Sequence, residues 1–272
     1  MSVDVRRRSA LAIGAADGWT VMVRNLLKLR HKPGQVVAEL AVPVVMVLLF
    51  GYVFGSAIAI GDDGNYIEYL MPGLLVMGAV LAALGTLTSI AKDNGLGVMD
   101  RFRSMPMARW AVPFGQTAAT FVLGIGGLVL MSAVGLAFGW RITGGVLPAL
   151  AAFGLILLLS YAVSWLGAAL GSFVGDEETA VRVMTLALPV VTISNVFVPT
   201  DGMPAALRVI ADWNPISAAV GAVRELFGNP GAPTAPAAWP LANPEIATVG
   251  WSLLLLLVCV PLAVRRFQKD VG

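Results

Sequence analysis

The feature that most constrains this chain is a set of long apolar runs that carry almost no charge. About 20 such residues cross a bilayer as a helix, and runs that are apolar throughout favour helices over barrel strands. Only 12% of the residues are charged, whereas about a quarter are charged in a typical soluble domain. A soluble globular enzyme is therefore excluded. The runs fall at residues 37–60, 70–91, 111–138, 146–173, 183–199 and 247–264.

These runs predict an all-α polytopic membrane protein with six transmembrane helices. The fourth and fifth runs are separate spans because Asp176, Glu177 and Glu178 lie between them. Each charge near the bilayer centre would cost about 2.5–3.5 kcal/mol. The predicted parts are a cytoplasmic N-terminal segment at 1–35, a six-helix membrane domain at 36–264 and a cytoplasmic tail at 265–272.

The distribution of basic residues predicts the orientation. If both termini are inside, fifteen of the 18 Lys and Arg residues lie on the cytoplasmic side, and only Arg141, Arg208 and Arg224 lie outside. Loops rich in Lys and Arg stay in the cytoplasm. We therefore expect both termini to be cytoplasmic.

The N-terminal segment has two interpretations. Arg6, Arg7 and Arg8 before a short apolar stretch resemble a cleaved signal, but the stretch is at the short limit for a signal core. The favoured interpretation is an amphipathic helix on the cytoplasmic membrane surface, with Asp17 as N-cap and a stop at Pro33 and Gly34. Its predicted apolar face consists of Trp19, Met22, Val23, Leu26 and Leu27.

The segment between the fifth and sixth runs predicts two short amphipathic helices, over 203–211 and 215–227. Asn214 is a good N-cap ahead of Pro215 at the first helical position, and Gly228 ends the second helix. A re-entrant hairpin that dips toward the membrane and a pair of helices on the outer surface both fit this pattern.

Motifs for self-contained chemistry are absent from the sequence. There is no phosphate-binding G-x-x-x-x-G-K-[ST] loop, no H-E-x-x-H and no intramembrane carboxylate pair. His31 and Cys259 are the single members of their residue types. We expect no catalytic site, no metal and no cofactor bound by this chain, so the energy must come from elsewhere.

Two features could line a polar path through the membrane. Glu39 lies at the edge of the first run, where it could serve transport or simply anchor a helix end. The fifth run is interrupted by Pro189 and carries Thr192, Ser194 and Asn195. Backbone groups freed by a proline are tolerated only against protein or water, so a path lining and a kinked, packed helix both remain open.

The cytoplasmic loop after the second run has the sharpest local pattern. Val98, Phe102 and Met105 fall on one helical face, with charges around them. This arrangement suits docking into the cleft of another protein, and it suits equally a helix resting on lipid headgroups. The surrounding charges are Asp100, Arg101 and Arg103.

Several segments together resemble the ABC type-2 permeases, particularly the daunorubicin/doxorubicin-resistance permease group. The similar segments, spread over roughly residues 19–267, are 94–107, 171–178, 195–199, Met203-Pro204 and Asn214-Pro215. Many members carry a glutamate in the first turn of the cytoplasmic loop, where this chain has Asp93 and Asn94.

The resemblance implies the membrane subunit of an ABC exporter in a bacterial cell membrane. Two such chains, as a homodimer or a heterodimer, would form one pore, and two cytoplasmic ATPase subunits would bind the ATP and Mg. The substrate would be a drug, an antibiotic or a lipid, with no role for nucleic acid. The N-terminal helix becomes a connecting helix beside the coupling loop.

The resemblance also assigns roles to individual residues. It makes the outer hairpin an exit gate and adds Pro106 to the coupling loop. The ATPase-coupling residues are Val98, Asp100, Arg101, Phe102, Arg103, Met105 and Pro106. The path candidates are Glu39, Thr192, Ser194 and Asn195, and the gate candidates are Met203, Pro204, Asn214 and Pro215.

Two other classes compete with a transporter. A membrane-embedded lipid-modifying enzyme would need polar groups clustered at one interface, which only the outer Asp201, Asp212, Arg224 and Glu225 could supply. A non-transporting scaffold subunit would bind no ATPase at all.

Overall fold

The computed structural model describes residues 10–30, 45–49, 66–99, 108, 110–229 and 238–269, and every regular element within them is helical. The long helices are α1 (Ala10–Arg30), α2 (Tyr66–Gly95), α3 (Ala111–Ala137), α4 (Val146–Gly171), α5 (Glu177–Thr192) and α9 (Pro244–Lys269). The short ones are α6 (Ala205–Asp212), α7 (Pro215–Phe227) and α8 (Trp239–Ala242).

In the described part of the chain, four helices are long and apolar enough to cross a membrane: α2, α3, α4 and the Pro244–Phe267 part of α9. They correspond to the second, third, fourth and sixth apolar runs. The all-helical, polytopic prediction is therefore confirmed for the described part of the chain. The first run lies outside the described residues except for 45–49, which are helical.

The core forms around α2, which is buried along most of its length and packs against α3, α4, α5 and α7. Gly167 and Gly171 bring α4 close to α2, since a Cβ on Gly171 would stand 2.8 Å from the Leu87 carbonyl oxygen. Close backbone approach is what small residues provide between membrane helices. Among the described residues, the largest fully buried side chains are Trp140, Tyr69 and Phe227.

Helix α1 begins earlier than predicted, at Ala10, so Asp17 is inside the helix rather than its N-cap. The Asp17 carboxylate instead accepts a hydrogen bond from the backbone N–H of Ala108 (3.1 Å). Tertiary contact thus replaces the capping role. The helix packs on α3 through Gly18 and Val21, while Trp19 of the predicted apolar face is exposed.

Helix α5 begins at the acidic residues that separate the fourth and fifth apolar runs. Asp176 is its N-cap and accepts a hydrogen bond from the Thr179 N–H (2.8 Å), which holds the pKa of this exposed carboxyl below its usual range. Glu177 and Glu178 occupy the first turn, where the helix dipole favours negative charge. The helix ends at Thr192, before the end of the apolar run at 199, because Pro189 disturbs its last turns.

The two helices after α5 form as predicted, with small differences in their bounds. Helix α6 covers Ala205–Asp212, and α7 covers the predicted residues 215–227. Gly228 ends α7 in the left-handed conformation, with φ +71°, which confirms its predicted role. Helix α7 is buried against α2, α4 and α9, whereas most of α6 is exposed.

Candidate functional site

The bundle has a polar cluster at each end. The end formed by α1, the end of α2 and the start of α3 is called the α1 end. The opposite end, formed by the start of α2, the α3–α4 connection, α6 and α7, is called the hairpin end.

At the α1 end, a network of side chains joins three helices around Asp93. Arg24 Nη2 lies 2.6 Å from Asp93 Oδ2, and Gln116 Nε2 donates to the same oxygen (2.8 Å). Asn25 Nδ2 and Ser89 Oγ both donate to Gln116 Oε1, at 2.6 and 3.2 Å. Asp93 is almost fully buried, and its charge is balanced by Arg24. The network therefore ties α1 to α2 and α3.

The last turn of α2 is also attached to the α4–α5 connection. Asn94 Nδ2 donates to the carbonyls of Gly171 (3.1 Å) and Val174 (3.0 Å). Lys92 Nζ forms an exposed ion pair with Glu177 at 2.6 Å. The end of α2 is thus held from two sides at the point where the predicted coupling loop begins.

Most of the predicted coupling residues lie beyond the described part of this end. Val98 is described and is half-buried next to the buried Met99. Glu39 of the predicted path lies outside the described residues too. The other coupling residues outside them are Asp100, Arg101, Phe102, Arg103, Met105 and Pro106.

The hairpin end contains the described path candidates and the four gate candidates. After α5 the chain runs without regular structure through residues 193–198, here called the 193–198 segment. Asn214 Nδ2 donates to the carbonyls of Val190 (2.6 Å) and Ile193 (2.9 Å), while its Oδ1 caps α7 at the Ile216 N–H (2.9 Å). One asparagine therefore caps α7 and binds the end of α5, and Pro215 follows it at the first helical position.

The three predicted path residues of α5 and the 193–198 segment differ in their surroundings. Ser194 and Asn195 are buried. The Asn195 N–H donates to Ser217 Oγ (3.1 Å) and its Nδ2 donates to the Ser217 carbonyl (3.2 Å). Thr192 is exposed, and its hydroxyl donates to the Leu188 carbonyl (3.0 Å) within its own helix. The structure brings Asn195 to α7 but leaves Thr192 outside that contact.

The other two gate residues lie around the start of α6. Met203 donates its N–H to the Thr200 carbonyl (3.0 Å), and the exposed Pro204 precedes the helix. Arg208 on α6 bonds Asp201 (3.1 Å) and lies 3.7 Å from Asp212. The remaining face of α6 is apolar and exposed; it consists of Leu207, Val209, Ile210 and the following Trp213.

The most unusual residue at this end is Arg224 on α7. It is 2% exposed. Its Nε donates to the Tyr69 carbonyl (2.9 Å), and its Nη2 donates to the carbonyls of Asn195 (2.9 Å) and Val196 (3.0 Å). The guanidinium carbon lies 3.6 Å from the centre of the Tyr69 ring, a cation–π contact. Burial lowers the pKa of Arg224 to about 10, so the group is still a cation at neutral pH.

From the sequence, Arg224 was interpreted as an outer basic residue and as one of four outer polar groups that a lipid-modifying enzyme could use, without a role in transport. A signal was present, because Arg224 falls on the buried stripe of α7, four residues after Val220 and three before Phe227. An ionisable residue on an apolar stripe of a membrane protein is a functional hypothesis by default.

A second set of contacts joins the end of α7 to the α3–α4 connection. The buried Trp140 donates its indole N–H to Asn229 Oδ1 (2.9 Å), and Asn229 Nδ2 donates to the Arg141 carbonyl (2.9 Å). Thr143 donates its N–H to the Phe227 carbonyl (2.8 Å) and its hydroxyl to the Gly228 carbonyl (2.8 Å). We call these contacts the Trp140 staple.

The charged groups of the hairpin end do not converge on one point. Asp201 and Asp212 face Arg208, Arg224 faces backbone carbonyls, and Glu225 is exposed. Among the described residues no group of three His, Cys, Asp or Glu could hold a metal ion. This arrangement does not resemble the acid–base cluster that a lipid-modifying enzyme would need.

Comparison with known proteins identifies the class. Residues 17–227 match the family model described as ABC-2 type transporter, so the chain belongs to that family. It is 31% identical over 221 residues to the daunorubicin resistance ABC transporter permease protein DrrB1 of Streptomyces coeruleorubidus, covering 81% of this chain and 78% of the relative. It is 18% identical over 230 residues to the probable doxorubicin resistance ABC transporter permease protein DrrC of Mycobacterium tuberculosis, covering 84% and 80%.

The predicted family and the predicted role as membrane subunit of an ABC exporter are therefore confirmed. The chain is a multi-pass membrane permease of a kind that works with an ABC ATPase.

Proposed function

We propose that this permease exports a hydrophobic or amphiphilic compound, with a separate ATPase subunit as the source of energy. The observation that carries the proposal is the 31% identity to a daunorubicin resistance permease over most of both chains. The four charge-poor candidate spans support it, because an apolar or amphiphilic substrate needs few charged partners inside the membrane. Drugs, antibiotics and lipids all belong to this substrate class.

The proposed topology has six spans and both termini in the cytoplasm. Four of the six are the candidate spans already described. The other two are the first apolar run and a span made of α5 and the residues that follow it. The α1 end then faces the cytoplasm, which agrees with the positive-inside rule because Arg24, Lys92, Arg182, Arg265 and Arg266 all lie there. The buried α7 and the exposed α6 would form the re-entrant hairpin on the outer side.

The ATPase would dock at the α1 end, on the loop that contains the predicted coupling residues. ATP and Mg would bind to that subunit and not to this chain. The network around Asp93 supports this assignment. Its hydrogen bonds join α1, α2 and α3, so a displacement of the loop by the ATPase would move these three helices together. Binding of ATP can then shift the equilibrium between inward-open and outward-open arrangements.

A second permease copy would complete the pore. Helix α5 buries only Ala180 and Val191, while Val181, Leu186 and Val190 are exposed. Such a helix needs lipid or another chain around it. A homodimer is the simpler arrangement, and a heterodimer with a related permease would use the same face.

The test is reconstitution of the purified permease, with and without its co-purified ATPase, in liposomes. With the ATPase, we expect ATP-dependent movement of daunorubicin, used as the probe, and none without ATP. The permease alone should hydrolyse no ATP. Turnover of a lipid by the permease alone would instead favour the enzyme alternative. If no ATPase co-purified with the permease, the result would favour the alternative of a non-transporting scaffold subunit.

A further inference from the structure

Helix α7 is fastened to two different parts of the protein, and the two attachments differ in kind. At its C-terminal end the Trp140 staple attaches it to the α3–α4 connection through neutral hydrogen bonds and a buried indole. Trp140 also packs edge-on against Phe227, with ring centres 5.2 Å apart. Helix α7 packs in addition against α4 and α9. It is therefore a fixed part of the bundle.

The other fastening joins α7 to the 193–198 segment. This segment has left the helix, so its carbonyls need donors from elsewhere. Arg224 supplies N–H groups to two of them, at Asn195 and Val196, and to the Tyr69 carbonyl on α2. Tyr69 adds its hydroxyl to the Asn195 carbonyl (3.1 Å). One guanidinium thus bonds the segment and α2 at the same time, beside the hydrogen bonds from Asn195 to Ser217 that also attach the segment to α7.

The segment fits closely against α2 at this point. A Cβ on Gly73 would stand 2.8 Å from the Val196 carbonyl oxygen and 3.0 Å from its Cα. Val196 itself is fully buried. Opening a passage here requires the segment to leave α2 and α7 together.

The surroundings favour movement of the segment over movement of α7. Helix α5, which leads into the segment, packs in the described part of the chain mainly on α2 and is exposed over most of its surface. Helix α6, which follows it, is exposed on its apolar face. Among the described ion pairs none involves Arg224, so the segment can be released without separating opposite charges.

We propose that Arg224 is the positioning residue that holds the outer exit closed, and that the exit opens by separation of the 193–198 segment from a stationary α7. The hairpin therefore does not open as one unit: α6 moves with the segment, and α7 stays on the bundle. This inference rests on the proposed export function for its role in transport, but the contact itself can be tested without transport.

The first experiment measures access to the joint in the full-length protein in membrane vesicles. In a Cys259→Ala background, Val196→Cys provides one buried thiol, and a membrane-impermeant maleimide is the probe. We expect slow labelling of Val196→Cys alone and at least tenfold faster labelling when Arg224→Gln is added. Arg224→Lys should give an intermediate rate, because lysine keeps the charge but lacks the planar guanidinium with its several N–H donors. Glu225→Gln, on the exposed side of the same helix, is the matched control and should leave the rate unchanged. Equal rates in all four proteins would overturn the proposal.

The second experiment keeps Arg224 intact. It therefore tests the proposal even if the Arg224→Gln protein misfolds. Cysteines at Asn195 and Ser217 span the joint, and cysteines at Thr143 and Asn229 span the Trp140 staple. Each pair is joined with a short thiol-reactive cross-linker, and ATP-driven daunorubicin transport by the permease–ATPase complex is compared before and after linking. We expect transport to be lost in the first pair and kept in the second.

The outcomes separate the inference from the proposed function. If the unlinked complex transports and the Asn195–Ser217 link leaves transport intact, the exit does not open at this joint and the inference is wrong. If linking the Trp140 staple abolishes transport, α7 is not stationary and the inference is wrong as well. If no protein transports but labelling of Val196→Cys still depends on Arg224, the export function fails while the closing role of Arg224 stands.

Discussion

Asp93 and Arg24 are 69 positions apart in the sequence, yet their side chains meet at 2.6 Å and join the N-terminal helix to the end of a membrane span. The carboxylate is buried while the guanidinium is partly exposed. Loss of the arginine therefore leaves a buried carboxylate without its cation, whereas loss of the carboxylate leaves a guanidinium that solvent can reach.

We expect Asp93→Ala to destabilise the protein by about 2–3 kcal/mol, because Gln116 and Arg24 both lose an acceptor. Arg24→Gln should cost at least as much, because it leaves the buried Asp93 carboxylate without its cation. Lys92→Gln, at an exposed ion pair one residue away, is the control and should cost less than about 1 kcal/mol. Thermal unfolding in detergent checks the order, and an Asp93→Ala protein as stable as Lys92→Gln would contradict it.

Docking of α1 on α3 depends on a glycine. A Cβ on Gly115 would stand 2.6 Å from both the Gly18 carbonyl oxygen and Val21 Cβ. We expect Gly115→Ala to push α1 away from α3 and expose it to limited proteolysis. Gly127→Ala, on the same helix with open space around it, should be neutral or stabilising by up to about 1 kcal/mol. Equal proteolysis of both variants would show that the close approach does not matter.

The Trp140 staple can be weakened in two steps. Trp140→Phe keeps an aromatic ring against Phe227 but leaves Asn229 Oδ1 without its donor, which should cost about 1–2 kcal/mol. Trp140→Ala also removes the buried ring and should cost about 3–5 kcal/mol. If both variants lost the same free energy of unfolding, the hydrogen bond would account for the whole loss and the buried ring for none of it, against the prediction.

Asn214 has two roles that can be separated by one substitution. Asn214→Asp keeps the oxygen that caps α7 but removes the donor to the Val190 and Ile193 carbonyls. We expect it to free the end of α5, seen as faster hydrogen exchange there, while α7 stays protected. Asn214→Ala should also destabilise α7, by about 1 kcal/mol for the cap. Unchanged exchange at the end of α5 in Asn214→Asp would contradict the second role.

The coupling role of the loop after α2 is tested by Phe102→Ala and Arg101→Glu. Both proteins should insert normally but lose substrate-stimulated ATP hydrolysis by the partner, since the apolar contact or the charge at the docking surface is gone. Glu225→Gln at the opposite end is the control. Full stimulation in both loop variants would remove the coupling assignment.

The sequence predicted those parts of the fold that depend on local chemistry. Long apolar runs became helices, and Asn214, Pro215 and Gly228 set the limits of α7 as their types predict. Asp176, Glu177 and Glu178 lie between α4 and the body of α5, but the sequence did not predict their roles as the cap and first turn of α5, where carboxylates are stabilising. Asp17 was misjudged because only the folded chain places Ala108 beside it.

Arg224 and Asp93 show why much of the site could not be predicted. Their partners lie 155 and 69 positions away, at Tyr69 and Arg24. A helical pattern can show that Arg224 falls on a buried stripe, but not which carbonyls it meets. The Asn195 and Val196 carbonyls are available to Arg224 because the chain has left the helix after Thr192, three residues beyond Pro189.

The Trp140 staple has a consequence for biosynthesis. Trp140 and Asn229 are 89 positions apart, and at about 5–20 residues per second the ribosome needs roughly 4–18 s to add the chain between them. During that time the Trp140 indole N–H and the α3–α4 connection lack their hydrogen-bond partners from the end of α7. A nascent chain of this protein completes its outer end only after α7 has emerged, so chains stopped before Asn229 would be the natural targets of membrane quality control.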